Sequence, residues 1–125
     1  MKFELKYGIP FVRAVFRNGN KEFVLENVVI DTGSGGTVLP TEIAFELGLE
    51  AELEDSLQRI RGVEGTEFVY EKIIDSIKLG DVTVENFKIQ IGAMNYGFGI
   101  KAILGMNFLK AGELLIDCGK LEIRK

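Results

Sequence analysis

The sequence predicts an all-β, barrel-like domain with one or two short helices. Short runs of β-branched and aromatic residues recur along the chain and are separated by Gly or Asn, which is the pattern of strands joined by tight turns. Of the 125 residues, 46% are hydrophobic, enough to build one core. No linker or low-complexity segment interrupts the pattern, so we expect a single domain over residues 1–125.

The first strands are the clearest. Two strand-like runs come first, at residues 3–7 and 11–16. The dipeptide Asn18-Gly19 is typical of a tight hairpin turn, and residues 21–25 form the returning strand. Residues 28–30 are a continuous apolar run, as in a buried strand, and they lead directly into Asp31.

One helix is predicted near residues 40–48, where a Pro-Thr start signal precedes apolar residues that share a face and Gly48 is placed to end it. A shorter helical turn is predicted at residues 106–110. The other predicted strands, paired mostly as hairpins, are residues 57–61, 66–74, 77–84 (a strand–turn–strand unit), 87–91, 102–105, 114–116 and 121–123.

Two absences narrow the possible chemistry. The chain has no histidine, which excludes Ser-His-Asp and Cys-His catalysis and a histidine-built zinc site. Its one cysteine, Cys118, excludes an internal disulfide and a Cys-x-x-Cys site. Its aspartates show no metal-ligand spacing, so no metal is expected. Any activity must therefore use carboxylates, hydroxyls, Lys, Arg or Tyr.

Charge and hydropathy limit the partners and the location. The formal net charge is −4, and acidic and basic residues are mixed along the chain without a basic block, so no nucleic acid is expected. No apolar run is long enough to span a bilayer, and the N-terminus lacks the apolar centre of a signal peptide. We therefore expect a cytoplasmic protein that does not associate with a membrane.

The segment from Val28 to Leu39 carries the candidate chemistry. Its apolar run directly precedes Asp31, Thr32 and Gly33, which we expect to lie at the end of a strand. A carboxylate in that position needs hydrogen bonds to offset its desolvation, and Gly33 allows the backbone to turn and bring amides close. The alternative is an ordinary turn that begins with Asp, and the triplet alone does not decide between them.

Three elements together resemble the retropepsin-like aspartic peptidases of clan AA. They are the active-site loop at residues 30–39, a glycine-rich flap hairpin with Arg61-Gly62-Val63-Glu64-Gly65, and Ile103-Leu104-Gly105 followed by a short helix. They occur in the family's order and cover roughly residues 10–123. The resemblance implies an acid-protease barrel with one lobe per chain, in which Ile103, Leu104 and Gly105 support the active site.

The resemblance also implies a function. It implies that Asp31 is one of two catalytic carboxylates and that the second is Asp31 of another copy of the chain. Together the two carboxylates would activate a water molecule that hydrolyses a peptide bond. Thr32 is implied to hold the two loops together across the two-fold axis, with Gly33 and Ser34 completing the active-site loop. No cofactor is implied, and the implied partners are a second copy of the chain and a peptide or protein substrate.

The substrate-binding positions depart from the family pattern. Retroviral enzymes carry acidic residues where this chain has Gly35 and Gly36, and apolar flap tips where it has Val63-Glu64 between Gly62 and Gly65. The glycine amides at both places can still bind a peptide main chain. The alternative function is a catalytically silent peptide-binding or dimerisation module that keeps the fold.

The C-terminal region contains a second Asp-x-Gly sequence. Asp117-Cys118-Gly119 follows an apolar run as Asp31 does, but we expect Asp117 to open the final hairpin turn. In the viral enzymes the terminal strands of the two chains interleave. Both ends of this chain are strand-like, and the sequence leaves the manner of dimerisation open.

Overall fold

The computed structural model describes residues 1–53, 55, 57–62, 65–93 and 95–125, and of residues 57–62 and 65–68 it describes the backbone. Within these residues the elements are β1 (Glu4–Lys6), β2 (Ile9–Asn18), β3 (Lys21–Asp31), β4 (Val38–Pro40), α1 (Thr41–Glu46), β5 (Leu57–Gly62), β6 (Gly65–Leu79), β7 (Val82–Gly92), β8 (Ala102–Gly105), α2 (Met106–Ala111), β9 (Leu115–Asp117) and β10 (Glu122–Arg124). The predicted all-β class with short helices is confirmed.

The strands close into a barrel. Neighbouring strands follow the order β2, β3, β8, β4, β7 and β6, and β6 pairs back onto β2. β1 extends the sheet beside β2, and β5 extends it beside β6. β9 and β10 form a separate antiparallel pair. The predicted barrel is therefore confirmed, and closure leaves few exposed strand edges within it.

The predicted hairpins form, but two strands, β3 and β6, are longer than the sequence pattern indicates. β3 runs without interruption from Lys21 to Asp31, although the sequence predicts two separate runs. The register between β2 and β3 shifts between Val12 and Ala14, and Asn27 on the opposing strand has a φ of 57°. An inserted residue of this kind is a β-bulge, which breaks the alternation of side chains without ending the strand.

Apolar side chains fill two clusters, one on each face of β3. The main core is the larger and contains Val28 and Ile30. The second cluster consists of Phe11, Val29, Val38 and Ile103, with Ile9, Tyr96 and Ile100 packed against it. Successive side chains of a strand point to opposite faces, so β3 contributes to both clusters in turn.

The two helices are short, with six residues each. α1 lies within the predicted range and is followed by Gly48 at a φ of 77°, a backbone conformation that glycine adopts readily. α2 begins directly after β8 at Gly105. Neither of these helices, the ones present in the described ranges, is long and apolar enough to span a membrane.

Candidate active site

Asp31 is the last residue of β3, and its position depends on a parallel pairing with β8. The register places Ile30 opposite Leu104 and Asp31 opposite Gly105. β8 lies between β3 and β4, the two strands that residues 32–37 connect. The connecting loop therefore passes over the end of β8, and the structure brings together the Asp31 loop and the Ile-Leu-Gly element as the sequence predicts.

The Asp31 carboxylate is half-buried and is bound by its own loop. Its Oδ1 accepts a hydrogen bond from the Gly33 N–H at 3.0 Å, and its carbonyl accepts one from the Ser34 N–H at 3.2 Å. Thr32 and Gly33 are exposed. Because side chains alternate along β3, the carboxylate emerges on the same face as Val29 and the second cluster.

Gly105 allows the loop to approach β8 closely. A Cβ at this position would overlap the Gly36 carbonyl and lie 2.8 Å from the Ser34 carbonyl oxygen. The Met106 N–H donates to that Ser34 oxygen at 2.7 Å. Ile103 lies in the second cluster and Leu104 in the main core. These contacts agree with the predicted supporting role of the three residues, which stays a prediction.

A buried hydrogen-bond network, which the sequence did not predict, fixes the second half of the loop. Thr37 is fully buried; its hydroxyl donates to Asn107 Oδ1 at 2.9 Å and accepts from the Gly105 N–H at 3.1 Å. Asn107 Oδ1 also accepts the Phe108 N–H at 2.8 Å. The available signal was that each polar residue directly precedes two apolar ones, Thr37 before Val38-Leu39 and Asn107 before Phe108-Leu109.

Ser34 adds a bond within the loop, since its hydroxyl donates to the Gly36 carbonyl at 2.8 Å. Gly35 is exposed, and a Cβ there would meet nothing within 4 Å. A Cβ at Gly36 would lie 2.5 Å from Gln90 Oε1. The Gln90 carboxamide therefore occupies the space beside Gly36, a neighbour that only the pairing of β4 with β7 could reveal.

The predicted flap hairpin is formed by β5 and β6, whose register ends with Gly62 opposite Gly65. The intervening Val63 and Glu64, both predicted to contact substrate, lie outside the described residues. Beyond the base of the hairpin, the Lys72 ammonium pairs with the carboxylates of Glu52 at 2.6 Å and Asp55 at 3.1 Å.

These contacts tie the base of the flap to the loop that follows α1. The hydrogen bond to Glu52 is the main reason that the pKa of Lys72 is raised. A hydrogen bond from the Glu52 backbone, followed by the Lys72 charge, lowers the pKa of Asp55. The Tyr70 hydroxyl donates to the Leu49 carbonyl at 2.9 Å, and burial raises the pKa of that phenol.

Apolar side chains border Asp31 on its own face. Val29 precedes it by two positions on β3, and Ile103 and Val38 continue the second cluster on β8 and β4. Tyr96, from the aromatic loop before β8, packs against this cluster. Phe98 is exposed, and its ring is tilted against that of Tyr7 with the centroids 5.1 Å apart. The carboxylate therefore follows a strand whose same-face side chains belong to a buried apolar cluster.

The comparisons with known proteins agree with this arrangement. Residues 18–111 match the family described as "gag-polyprotein putative aspartyl protease". The chain belongs to the retropepsin-like aspartic protease family. No curated protein matches the chain.

Two solved structures share the retropepsin-like fold. A retropepsin-like aspartic protease from Rickettsia conorii aligns with a TM-score of 0.66 at 21% identity, covering 99% of this chain and 97% of the other. The retroviral protease-like domain of Ddi1 from Leishmania major aligns with a TM-score of 0.56 at 14% identity, covering 91% and 84%. The predicted family and fold are thus confirmed.

Proposed function

We propose that the chain is an aspartic endopeptidase whose active site consists of two Asp31 carboxylates, one from each chain of a homodimer. The observation that carries the proposal is the placement of Asp31 at the end of β3, beside Gly105, with Gly33 donating to Oδ1 at 3.0 Å. This loop holds a carboxylate in a fixed position, and membership in the family supplies the reaction. A second copy is needed because one chain has one such loop.

The chemistry follows from the proximity of two like charges. Aspartic peptidases are the established example of two carboxylates too close for both to ionise, so that the pair holds one proton. The ionised Asp31 takes a proton from a water molecule, which attacks the peptide carbonyl. The protonated Asp31 donates its proton to the carbonyl oxygen, which gives a tetrahedral diol. The proton taken from water then passes to the amide nitrogen as the C–N bond breaks, and a diol hydroxyl returns one proton to the pair. In this mechanism Thr32, exposed beside the carboxylate, holds the two loops together.

The substrate in this proposal is an extended peptide lying between the active-site loop and the flap. The backbone of Gly35 and Gly36 binds it from one side, and the flap hairpin with Gly62, Val63, Glu64 and Gly65 covers it from the other.

The test is cleavage of a peptide library between about pH 4 and 7 by wild-type protein and by Asp31→Asn. We expect kcat/KM to fall about 100-fold or more in the variant, since it removes the acid–base pair. Circular dichroism and thermal unfolding of the variant control for folding. Equal cleavage by the two proteins would overturn the proposal.

A silent peptide-binding or dimerisation module is the second candidate, and one observation favours it. The positions that are acidic in retroviral enzymes are glycines here, and the Gln90 side chain fills the space beside Gly36. Peptide binding by a folded dimer that cleaves nothing in the library would support this function over catalysis.

A further inference from the structure

The chain ends form a small sheet with an open edge. Met1 pairs with Ile123, since its terminal ammonium donates to the Ile123 carbonyl at 2.7 Å and its carbonyl accepts the Ile123 N–H at 2.8 Å. β10 therefore has the N-terminal residues on one side and β9 on the other. Within the described part of the chain, β10 is the only strand paired with β9, so the far side of β9 is open.

The register shows which backbone groups point to this open edge. In an antiparallel ladder the N–H and C=O of one residue point to the same side. The N–H and the C=O of Ile123 both bond to Met1, so Ile123 and Ile116 form a non-hydrogen-bonded pair. The bonds between β9 and β10 are then made by Leu115 and Asp117, and the N–H and C=O of Ile116 point away from β10.

We propose that this edge pairs with the same edge of a second copy, antiparallel, with Ile116 opposite Ile116 across the two-fold axis. The inference rests on the proposed function, because it identifies the surface that brings the second Asp31 into place. A pairing centred on one residue is self-complementary, as an isologous contact requires. It forms two hydrogen bonds, each from the Ile116 N–H of one copy to the Ile116 carbonyl of the other.

The composition of the edge also favours a strand as its occupant. Natural proteins protect exposed strand edges with charged residues, and β1, the edge strand beside β2, carries Glu4 and Lys6. In β9 the one charged residue is Asp117 at its end, the Ile116 side chain packs against the main core, and Leu115 is 55% exposed. The centre of this edge therefore carries no charged side chain, which leaves the backbone of Ile116 suited to pairing with another strand.

A short stretch of chain, α2 and the turn after it, connects the strand end beside Asp31 to this edge. α2 begins beside Asp31 at Gly105 and its six residues span about 9 Å. The chain then turns back, with the Leu114 N–H bonded to the Leu109 carbonyl at 3.0 Å, and enters β9. The inference therefore requires that the two-fold axis through the Ile116 pair also pass between the two Asp31 loops.

This arrangement differs from the interleaved ends of the viral enzymes. Here the N-terminal residues of each copy lie on the outer side of its own β10. The two copies together would form one sheet with the strand order N-terminal residues, β10, β9, β9, β10, N-terminal residues. No terminal segment needs to exchange between copies. The central contact depends on backbone groups of Ile116 alone.

The first test is Ile116→Pro, which removes the outward N–H and leaves the bonds of β9 to β10 intact. Sedimentation equilibrium should show a dimer dissociation constant raised at least about tenfold, from the loss of both symmetry-related bonds. Cleavage should fall at low protein concentration and recover at high concentration. An unchanged dissociation constant in a folded variant would overturn the inference.

A matched control is Leu5→Pro on β1. Leu5 lies opposite Pro10, which has no N–H, so this pair is not hydrogen-bonded and the Leu5 N–H points outward, as that of Ile116 does. The control removes the same type of group from a different edge. We expect the dissociation constant of Leu5→Pro to equal that of the wild type.

A crosslink supplies a second, independent measurement. In a Cys118→Ser background, Ile116→Cys places two thiols opposite each other at a Cα separation of about 5.5 Å, within the range of disulfides. Mild oxidation should give a covalent dimer that still cleaves peptide. Leu115→Cys in the same background lies opposite Asp117 of the second copy and should crosslink at least about tenfold more slowly. Equal rates would contradict the register.

The outcomes separate the inference from the proposed function. An active wild-type dimer that tolerates Ile116→Pro and does not crosslink overturns the inference and leaves the peptidase intact. A crosslinked dimer whose cleavage does not depend on Asp31 supports the interface and overturns the peptidase. A wild-type protein that stays monomeric at high concentration overturns both.

Discussion

Asp31 and Asp117 occupy nearly the same local setting. Each follows an apolar strand and precedes a glycine by two residues, and each carboxylate accepts a backbone N–H, from Gly33 at 3.0 Å and from Lys120 at 2.9 Å. A Cβ on the following glycine would approach Oδ1 at 3.3 Å in the first case and 3.5 Å in the second. Both carboxylates are half-buried.

The difference between them lies in the segments around them. Asp117 ends β9 and opens the β9–β10 turn, as the sequence predicts, and β10 is its neighbouring strand. Asp31 lies beside β8, a strand more than seventy positions later in the chain, and its loop is bonded to Gly105, Met106 and Asn107 through Thr37 and Ser34. The local turn is therefore not what distinguishes Asp31. Asp31 is the candidate site because segments distant in sequence hold its loop in place.

The largest effect on stability is expected for Gly105→Ala. Its Cβ would overlap the backbone of Gly36, which cannot move without displacing the active-site loop. Overpacking of this kind should lower the free energy of unfolding by about 3 kcal/mol and reduce cleavage. Urea unfolding measures the stability of the variant.

Gly119→Ala is the matched control at the other Asp-x-Gly sequence. Its Cβ would meet Asp117 Oδ1 at 3.5 Å, which is ordinary van der Waals contact. A change within about 0.5 kcal/mol is expected. If the two glycine variants lost the same stability, the contrast between the two turns would be wrong.

Thr37→Val should have the next largest effect. The valine keeps the shape but leaves the Gly105 N–H without the hydroxyl that now accepts it, in a fully buried position. We expect a loss of about 2 kcal/mol in the free energy of unfolding. Thr37→Ser retains the hydroxyl and should recover most of this loss; a serine variant as unstable as the valine variant would argue against the hydrogen bond.

Gly36→Ala probes the contact with Gln90 and should cost about 1 kcal/mol or less. The atom in the way is the end of a side chain that can rotate, in contrast to the backbone at Gly105. In a Gln90→Ala background the same substitution should cost close to nothing. A double-mutant cycle by thermal unfolding measures this coupling, and additive costs would exclude it.

Asp117→Asn should have the smallest effect. The asparagine oxygen can still accept the Lys120 N–H, so we expect stability within about 0.5 kcal/mol of wild type and unchanged cleavage. Measured beside Asp31→Asn, this variant sharpens the contrast between the two aspartates. Loss of cleavage in Asp117→Asn would show that the second Asp-x-Gly turn takes part in the reaction.

Sequence patterns predicted the local features because these depend on neighbouring residues. The glycine after Asn18 indicates a tight turn, which the structure forms with Gly19 and Asn20 as its two loop residues. The apolar run before Asp31 specifies a buried strand, and Gly48 ends α1. The bulge at Asn27 was missed because an inserted residue looks like a break in the pattern. The order of the three motifs identified the family, and the match over residues 18–111 confirms it.

Only the tertiary structure decided what surrounds Asp31. The bond between Thr37 and Asn107 joins residues 70 positions apart, and Gln90 reaches Gly36 through the pairing of β4 with β7. The open edge at Ile116 likewise depends on Met1 pairing with Ile123 at the opposite end of the chain. The sequence by itself therefore determined the carboxylate and its turn, whose conformations are set by adjacent residues. The partners that fix the loop come from strand pairing across the barrel, which no local pattern encodes.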